Sequence, residues 1–183
     1  MKLTMADSNW IKKSKDGEIG ERIVESFLAA EGHNVIRSED VRQDGNLLYW
    51  DLQIDNGTRF EVKYDVSGYE YMHKYGRDNP NLFIEWWSTT RNEKCGIFSS
   101  IGEADVFVYI FKETNKAGEF VKNYAHTFYL EDFAIWCNDC RDSWKDVTCY
   151  LIGNENARGW LVNESVMLKN KHLNGYIKTI QFE

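Results

Sequence analysis

The chain has 183 residues, of which 43% are hydrophobic and 15% aromatic, proportions typical of a globular domain with a packed core. Its formal net charge of -7 argues against a protein that coats nucleic acid by phosphate neutralisation alone, because that mode of binding needs a basic surface. Residues 1–15 are too polar for a secretory signal, and no later stretch resembles a membrane span. We therefore expect a cytoplasmic protein without contact to a membrane.

The first predicted element is a helix over about residues 16–30. Five apolar residues recur there at helical spacing and form one stripe. They are Ile19, Ile23, Val24, Phe27 and Leu28. Gly32 is expected to end this helix, and residues 34–37 then predict a short strand.

The clearest local signal is a hairpin. Two strand-like runs, 47–54 and 58–66, are separated by the turn sequence Asp-Asn-Gly at 55–57. A two-residue loop would set Leu52 beside Glu61 and mix apolar with polar side chains on both faces. A three-residue loop keeps one face apolar.

The three-residue loop is therefore the predicted register. It pairs Leu52 with Phe60 and Trp50 with Val62, and it requires Gly57 in the left-handed conformation.

The rest of the chain is predicted to alternate strands with turns, plus one helix. Residues 67–80 are expected to form a loop or short helix over the surface, and the run at 105–111 is apolar enough for a central strand buried on both faces. The other predicted strands are 81–88, 120–130, 147–152, 159–162 and 176–182, and the helix is 131–141. No linker composition marks a second domain.

The predicted register has a consequence for the other face of the hairpin. It sets Asp51 opposite Glu61, with Cβ atoms about 5 Å apart, a separation that a hard cation bound by carboxylate oxygens can span. Lys63 points to the same side as Glu61, because strand residues two apart share a face, and it could orient or deprotonate a water or meet the charge that develops on a phosphate. Taken singly, such residues more often belong to a solvated strand face, so the prediction depends on their conjunction.

Glu21 on the predicted helix belongs to the same argument. It lies beside Val24 and Leu28 at the margin of the apolar stripe and is expected to point towards the edge of the sheet. A carboxylate there would complete the shell of one ion or help to hold a second. Alone, Glu21 is more often an ordinary polar residue at the rim of an amphipathic helix.

The order of these residues is a Glu on a helix, an Asp on a strand, and Glu-Val-Lys on the paired strand. This pattern resembles the motif of the PD-(D/E)XK nuclease superfamily, in particular that of its small phage-type and junction-resolvase-like members. The matching residues lie within about 17–66 and are Glu21, Asp51, Glu61, Val62 and Lys63. One departure is that Trp50 stands where the proline of the superfamily motif would precede Asp51.

The resemblance implies an α/β, restriction-endonuclease-like fold, in which helices flank a mixed central β-sheet and an N-terminal helix precedes the core hairpin. Asp51 and Glu61 would bind Mg²⁺ or Mn²⁺ together with the carbonyl of Val62, Glu21 would complete the metal shell, and Lys63 would assist the attacking water. Residues 1–183 would form one nuclease domain, with a catalytic core at about 16–130 and a C-terminal extension at about 131–183.

A weaker similarity follows the motif, at 84–85, 96–97 and 104–106. It adds Glu85 and Ser100 as secondary site residues. Basic and aromatic residues nearby are candidates for contacts with nucleic-acid phosphates and bases, with a mobile surface loop as an equal alternative. The predicted nucleic-acid-binding residues are His73, Lys74, Arg77, Arg91 and Lys94, and the accompanying rings are Tyr69, Tyr71 and Tyr75.

The four cysteines, Cys95, Cys137, Cys140 and Cys149, are absent from the first half of the chain, which argues against a disulfide framework and predicts reduced thiols. A structural zinc site needs four ligands, and the pair at 137 and 140 lacks a second close pair.

The expected function is metal-dependent hydrolysis of duplex or branched DNA, first of all by a structure-selective or junction-processing endonuclease. An exonuclease or nicking enzyme of the same fold is the alternative within this class. The rivals from other classes are a non-catalytic nucleic-acid-binding protein and a zinc-binding interaction module. The sequence leaves a homodimer open.

Overall fold

The computed structural model of the chain describes residues 5–41, 48–88, 92–150, 156–170, 173 and 178–182. Within these residues the strands are β1 (Val35–Arg37), β2 (Leu52–Ile54), β3 (Arg59–Asp65), β4 (Asn81–Ser88), β5 (Glu93–Lys94), β6 (Val106–Thr114), β7 (Phe120–Tyr129), β8 (Lys145–Tyr150), β9 (Asn156–Asn163) and β10 (Lys178–Phe182). Its helices are α1 (Met5–Ala30), α2 (Ser38–Val41), α3 (Gly68–Lys74), α4 (Leu130–Cys140) and α5 (Glu164–Leu168), with 3-10 turns at Gly96–Phe98 and Arg141–Ser143.

The protein is mixed α/β, with a mixed central sheet flanked by helices. In the described part of the chain the central sheet has the strand order β1-β2-β3-β6-β7-β10, in which β3 and β6 run parallel and the other neighbours antiparallel. The mixed central sheet was predicted, but a second sheet of antiparallel strands, ordered β5-β4-β9-β8 within the described residues, was not. The reason is that β4 pairs with β9, far along the chain, instead of joining the central sheet.

Two apolar clusters hold the central sheet between layers. On one face α1 packs through Val24 and Leu28 against Leu52, Phe60 and Ile110. On the other face, residues of β6 and β7 pack against β4, β9 and α4 in a larger aromatic cluster. Alternate residues of β6 enter the two clusters, which confirms the prediction of a central strand buried on both faces.

The predicted hairpin register is correct at its centre. Leu52 pairs with Phe60 and Gln53 with Arg59, while the N–H of Ile54 donates to the carbonyl of Thr58 at 3.0 Å. Gly57 has φ 90°, the left-handed conformation that the three-residue loop requires. Gly32, with φ 93°, follows α1 as predicted.

The first strand of the hairpin is shorter than predicted, and the expected pair of Trp50 with Val62 is wrong. In a continued ladder the N–H of Val62 would donate to the carbonyl of Trp50. Instead it donates to the Asp51 carboxylate at 2.7 Å, and the N–H of Asp51 donates to Phe60 at 2.8 Å. The chain turns at Asp51, so Trp50 joins the aromatic cluster while Leu52 faces α1.

The C-terminal third contributes strands to both sheets, since β8 and β9 extend the second sheet and β10 pairs with β7 at the edge of the first. The short helix α5 was absent from the sequence prediction, and its five residues are too few for a periodic pattern. Among the helices that the structure describes, none combines the length and apolar character needed to cross a membrane.

Candidate active site

The candidate site lies on the face of β3 that is turned away from α1. Phe60, Val62 and Tyr64 belong to the cluster beneath α1. Glu61 and Lys63, between them on the strand, therefore point towards the second sheet. Strand alternation thus exposes a carboxylate and an ammonium to the space between the two sheets.

Asp51 reaches this site from the end of the hairpin. Asp51 precedes β2, and it is not the regular cross-strand partner of Glu61 that we predicted. The reason is that its carboxylate, instead of the carbonyl of Trp50, accepts the hydrogen bond from the N–H of Val62. This bond nevertheless holds the Asp51 carboxylate at Val62, the residue next to Glu61, and the charge of Asp51 raises the pKa of Glu61. Asp51 and Glu61 are therefore neighbours, as predicted, but the backbone at Asp51 is irregular and does not pair with β3 in a regular ladder.

Both carboxyl groups are half-buried, and burial is the main cause of their altered acidity. Burial raises the pKa of Asp51 from 3.8 to about 6, against the opposing effect of the N–H of Val62. Burial, followed by the charge of Asp51, raises the pKa of Glu61 from 4.5 to about 8. Two such groups are poorly stable as anions unless a cation joins them.

Glu85 and Ser100, the two secondary candidates, both contact the site. The hydroxyl of Ser100, which is 1% exposed, donates to Glu61 at 3.0 Å. Glu85, on β4 of the second sheet, accepts a hydrogen bond from the Lys63 ammonium at 2.5 Å. The site therefore combines residues of both sheets.

The Lys63 ammonium is held in its charged form. Burial is the largest single influence and lowers the pKa of Lys63, but the carboxylates of Glu85, Asp65 and Glu61 together outweigh it and leave the pKa above its ordinary value. As the site stands, Lys63 is a hydrogen-bond donor and a positive charge.

Glu21 lies at the margin of the site, bound to an arginine that the sequence analysis did not single out. The Arg37 guanidinium, 8% exposed at the end of β1, donates to Glu21 at 2.6 Å, to Glu25 at 3.1 Å and to Glu39 at 2.7 Å. Burial and then the charge of Asp51 raise the pKa of Glu21 to about 7, although Arg37 opposes the shift. A methyl group at Gly20 would lie 2.6 Å from Cβ of Tyr64, so α1 carries Glu21 directly against β3.

The donors suit a hard cation, but they do not form a complete coordination shell. Within the described part of the chain, no group of three or more His, Cys, Asp or Glu side chains is arranged to hold a metal. The residues that could hold one are Asp51 and Glu61 with the carbonyl of Val62, which leaves β3 on the same edge as the N–H bound to Asp51. Mg²⁺ is often bound by only one or two carboxylates and keeps several waters, so this set fits it.

The predicted nucleic-acid-binding residues lie on different elements of the fold. His73 and Lys74 lie on α3, Arg77 follows it, and Lys94 is exposed on β5 of the other sheet. The Nε2 of His73 lies 2.6 Å from the carbonyl oxygen of Thr114, a contact that fixes α3 against the end of β6. Arg91 lies outside the described residues.

The thiols of Cys95 and Cys137 are buried and that of Cys140 is half-buried. Burial raises the pKa of the Cys137 thiol, which disfavours the thiolate that zinc binds. The side chain of Cys149 is outside the described residues.

No family model, curated protein or solved structure matches this chain. The resemblance to the PD-(D/E)XK superfamily therefore depends on the motif residues and their geometry.

Proposed function

We propose that the protein is a metal-dependent deoxyribonuclease of restriction-endonuclease-like fold, which hydrolyses phosphodiester bonds in DNA with water as the nucleophile. A structure-selective or junction-processing endonuclease is the form we favour, with an exonuclease or nicking enzyme as the alternative. The observation that carries the proposal is the meeting of Asp51, Glu61 and Lys63 in one half-buried site.

The raised pKa values of the carboxyl groups support a cation-binding role. Asp51 and Glu61 are close, half-buried and electrostatically unfavourable together, which is a cost that a divalent cation would remove. Mg²⁺ or Mn²⁺, when bound there, would polarise the phosphate and make a water more acidic. Ser100 keeps the Glu61 carboxylate in place by donating to Oε2.

The contacts of Lys63 favour one of the roles that the sequence left open. A lysine whose pKa is raised cannot readily take a proton from water. Its charge is better suited to orienting the scissile phosphate and stabilising the negative charge that develops there. Glu85 positions the ammonium for this role.

Glu21 is proposed as a further metal ligand only after it leaves Arg37. In the structure Arg37 neutralises Glu21, so binding of a cation by Glu21 would have to displace an ion pair of 2.6 Å. Asp51 and Glu61 are therefore the primary ligands of the proposal.

The test is incubation of the protein with single-stranded, duplex and branched DNA and with RNA, in Mg²⁺, in Mn²⁺ and in a chelator. We expect DNA cleavage that requires the metal and falls by at least about a hundredfold in the variants D51N, E61Q and K63M, the reduction typical of removing a preorganised catalytic charge. The variant D55N is the matched control, since Asp55 is an exposed carboxylate in the turn of the same hairpin.

Cleavage that survives in the chelator or in the three site variants would contradict the proposal. Binding of DNA without cleavage under any metal condition would instead favour the rival hypothesis, a nucleic-acid-binding protein without catalysis.

A further inference from the structure

A surface beside the candidate site combines exposed aromatic rings with a basic cleft. Tyr71 and Tyr75, one turn apart on and just after α3, are 52% and 59% exposed, and their rings are nearly parallel, with centroids 6.3 Å apart. The cations of Lys74 and Arg77 each lie 5.5 Å from the centre of the Tyr75 ring. We call this pair of rings the tyrosine platform.

The cleft lies between α3 and the turn that joins β6 to β7. It encloses about 550 Å³, and its lining includes Lys74, Lys112 and Lys116, with Glu70 as the opposing charge. Three cations to one anion make this cleft locally basic on a chain whose net charge is -7. Lys74 and Lys116 are exposed, so the cleft is open to a chain passing through it.

Both features are fixed in position relative to the candidate site. Asp65, two residues beyond Lys63 on β3, accepts hydrogen bonds from Ser67 at 2.9 Å and Gly68 at 2.8 Å and so anchors the start of α3. Val66 lines the cleft. At about 3.3 Å per strand residue, Val66 is roughly 10 Å along the strand from Lys63.

The chemistry of this surface identifies its ligand. Lysines contact phosphates whatever the base sequence, whereas tyrosine rings stack only on bases that are not already paired within a duplex. A distance of about 10 Å is short enough for one DNA strand to reach both this surface and the candidate site. We propose that the tyrosine platform and the lysines of the cleft bind an unpaired segment of DNA next to the bond that is cleaved.

This inference rests on the proposed nuclease function, but it can be tested by binding alone. Fluorescence anisotropy in a chelator would compare a duplex carrying a single-stranded arm with a blunt duplex of the same length. We expect the armed duplex to bind about tenfold more tightly, and the double variant Y71L/Y75L to lose this preference, as expected when base stacking is removed.

The lysines make a separate contribution to the test. The double variant K112Q/K116Q should make the dependence of log affinity on log salt less steep, by about 0.7 for each phosphate of single-stranded DNA that a lysine no longer neutralises. The matched controls are Y129L, at a tyrosine of 57% exposure at the other end of the central sheet, and K15Q/K169Q at exposed lysines on α1 and after α5. Both controls should bind like the unaltered protein.

Equal affinity of the unaltered protein for the two DNAs, or a preference that persists in Y71L/Y75L, would overturn the inference. The two proposals can fail separately. Preferential binding without cleavage in Mg²⁺ would uphold the binding surface and contradict the nuclease, whereas cleavage without the preference would do the reverse.

Discussion

Glu61 and Asp51 lie where a negative charge is unfavourable, and this makes the stability of the fold depend on pH. Burial and the charge of Asp51 raise the pKa of Glu61 from 4.5 to about 8. Between these two values the folded protein binds more protons than the unfolded chain. The free energy of unfolding therefore falls as pH rises across this range, and Asp51, with its pKa raised to about 6, adds to the fall in the lower part.

We expect the Tm in a chelator to decrease from about pH 5 to about pH 8, and the variant E61Q to lose much of this decrease, because glutamine has no proton to release. Adding Mg²⁺ at the upper end should raise the Tm of the unaltered protein more than that of E61Q. The variant E31Q, at an exposed carboxylate just after α1, should keep the full pH dependence. If the Tm of E61Q fell with pH as steeply as that of the unaltered protein, Glu61 would not be the source of the pH dependence.

At the scale of single residues, the sequence predicts those side chains whose placement follows from strand alternation. Glu61 and Lys63 share a face because they are two apart on one strand, and this needs no knowledge of the rest of the fold. Arg37 escaped prediction because its role depends on α1 lying across the end of β1, which brings Glu21 and Glu25 to it. An arginine in a short strand carries no local signal of such a contact.

At the scale of elements, the hairpin register was predictable because the turn and the apolar alternation are local. The position at which β2 begins was not predictable, because it depends on the Asp51 carboxylate taking the place of a backbone carbonyl as the acceptor for Val62. The second sheet was also beyond reach, because β4 finds its partner in β9 through a pairing that local patterns do not specify. Glu85 enters the site from that sheet.

The turn at Gly96 links the two secondary residues of the site. Gly96 has φ 57°, and a methyl group there would lie 2.7 Å from the carbonyl oxygen of Glu85. Its own carbonyl accepts a hydrogen bond from Ser99 at 2.7 Å, and the 3-10 turn that it begins leads to Ser100. The close approach of Gly96 to the Glu85 backbone thus keeps both Glu85 and Ser100 beside the candidate site.

We predict that the variant G96A is less stable than G76A. Gly76 has φ 59° and open space around it. Alanine there would be strained only by the left-handed backbone conformation, at a cost of about 1 kcal/mol. Alanine at Gly96 meets the same strain and also the Glu85 backbone, which should add roughly 1–3 kcal/mol. Chemical denaturation of both variants measures the difference, and equal decreases in stability would show that the contact with Glu85 relaxes freely.

At the scale of the whole molecule, a buried polar network connects the two sheets. Glu164, 7% exposed, begins α5 directly after β9 of the second sheet. Its Oε1 accepts the hydroxyl of Tyr124 at 2.8 Å and lies 2.7 Å from Nε2 of His126, and both partners belong to β7 of the central sheet. Thr179 on β10 contacts the other nitrogen of His126 at 3.1 Å. The C-terminal third is therefore tied into the core by specific polar contacts as well as by pairing.

Removing Glu164 should destabilise the fold, because it takes a hydrogen-bond partner from two buried polar groups, Nε2 of His126 and the hydroxyl of Tyr124, which keeps only its contact with Tyr69. At roughly 1–3 kcal/mol for each unsatisfied group, we expect the variant E164A to lose about 3 kcal/mol of unfolding free energy in chemical denaturation. The variant E164Q keeps a carbonyl oxygen as acceptor and should lose about half as much. On the same helix, V166A removes part of a side chain that is 53% exposed and should change stability by about 0.5 kcal/mol or less. If E164A were no more destabilising than V166A, the network would not be what joins the two sheets.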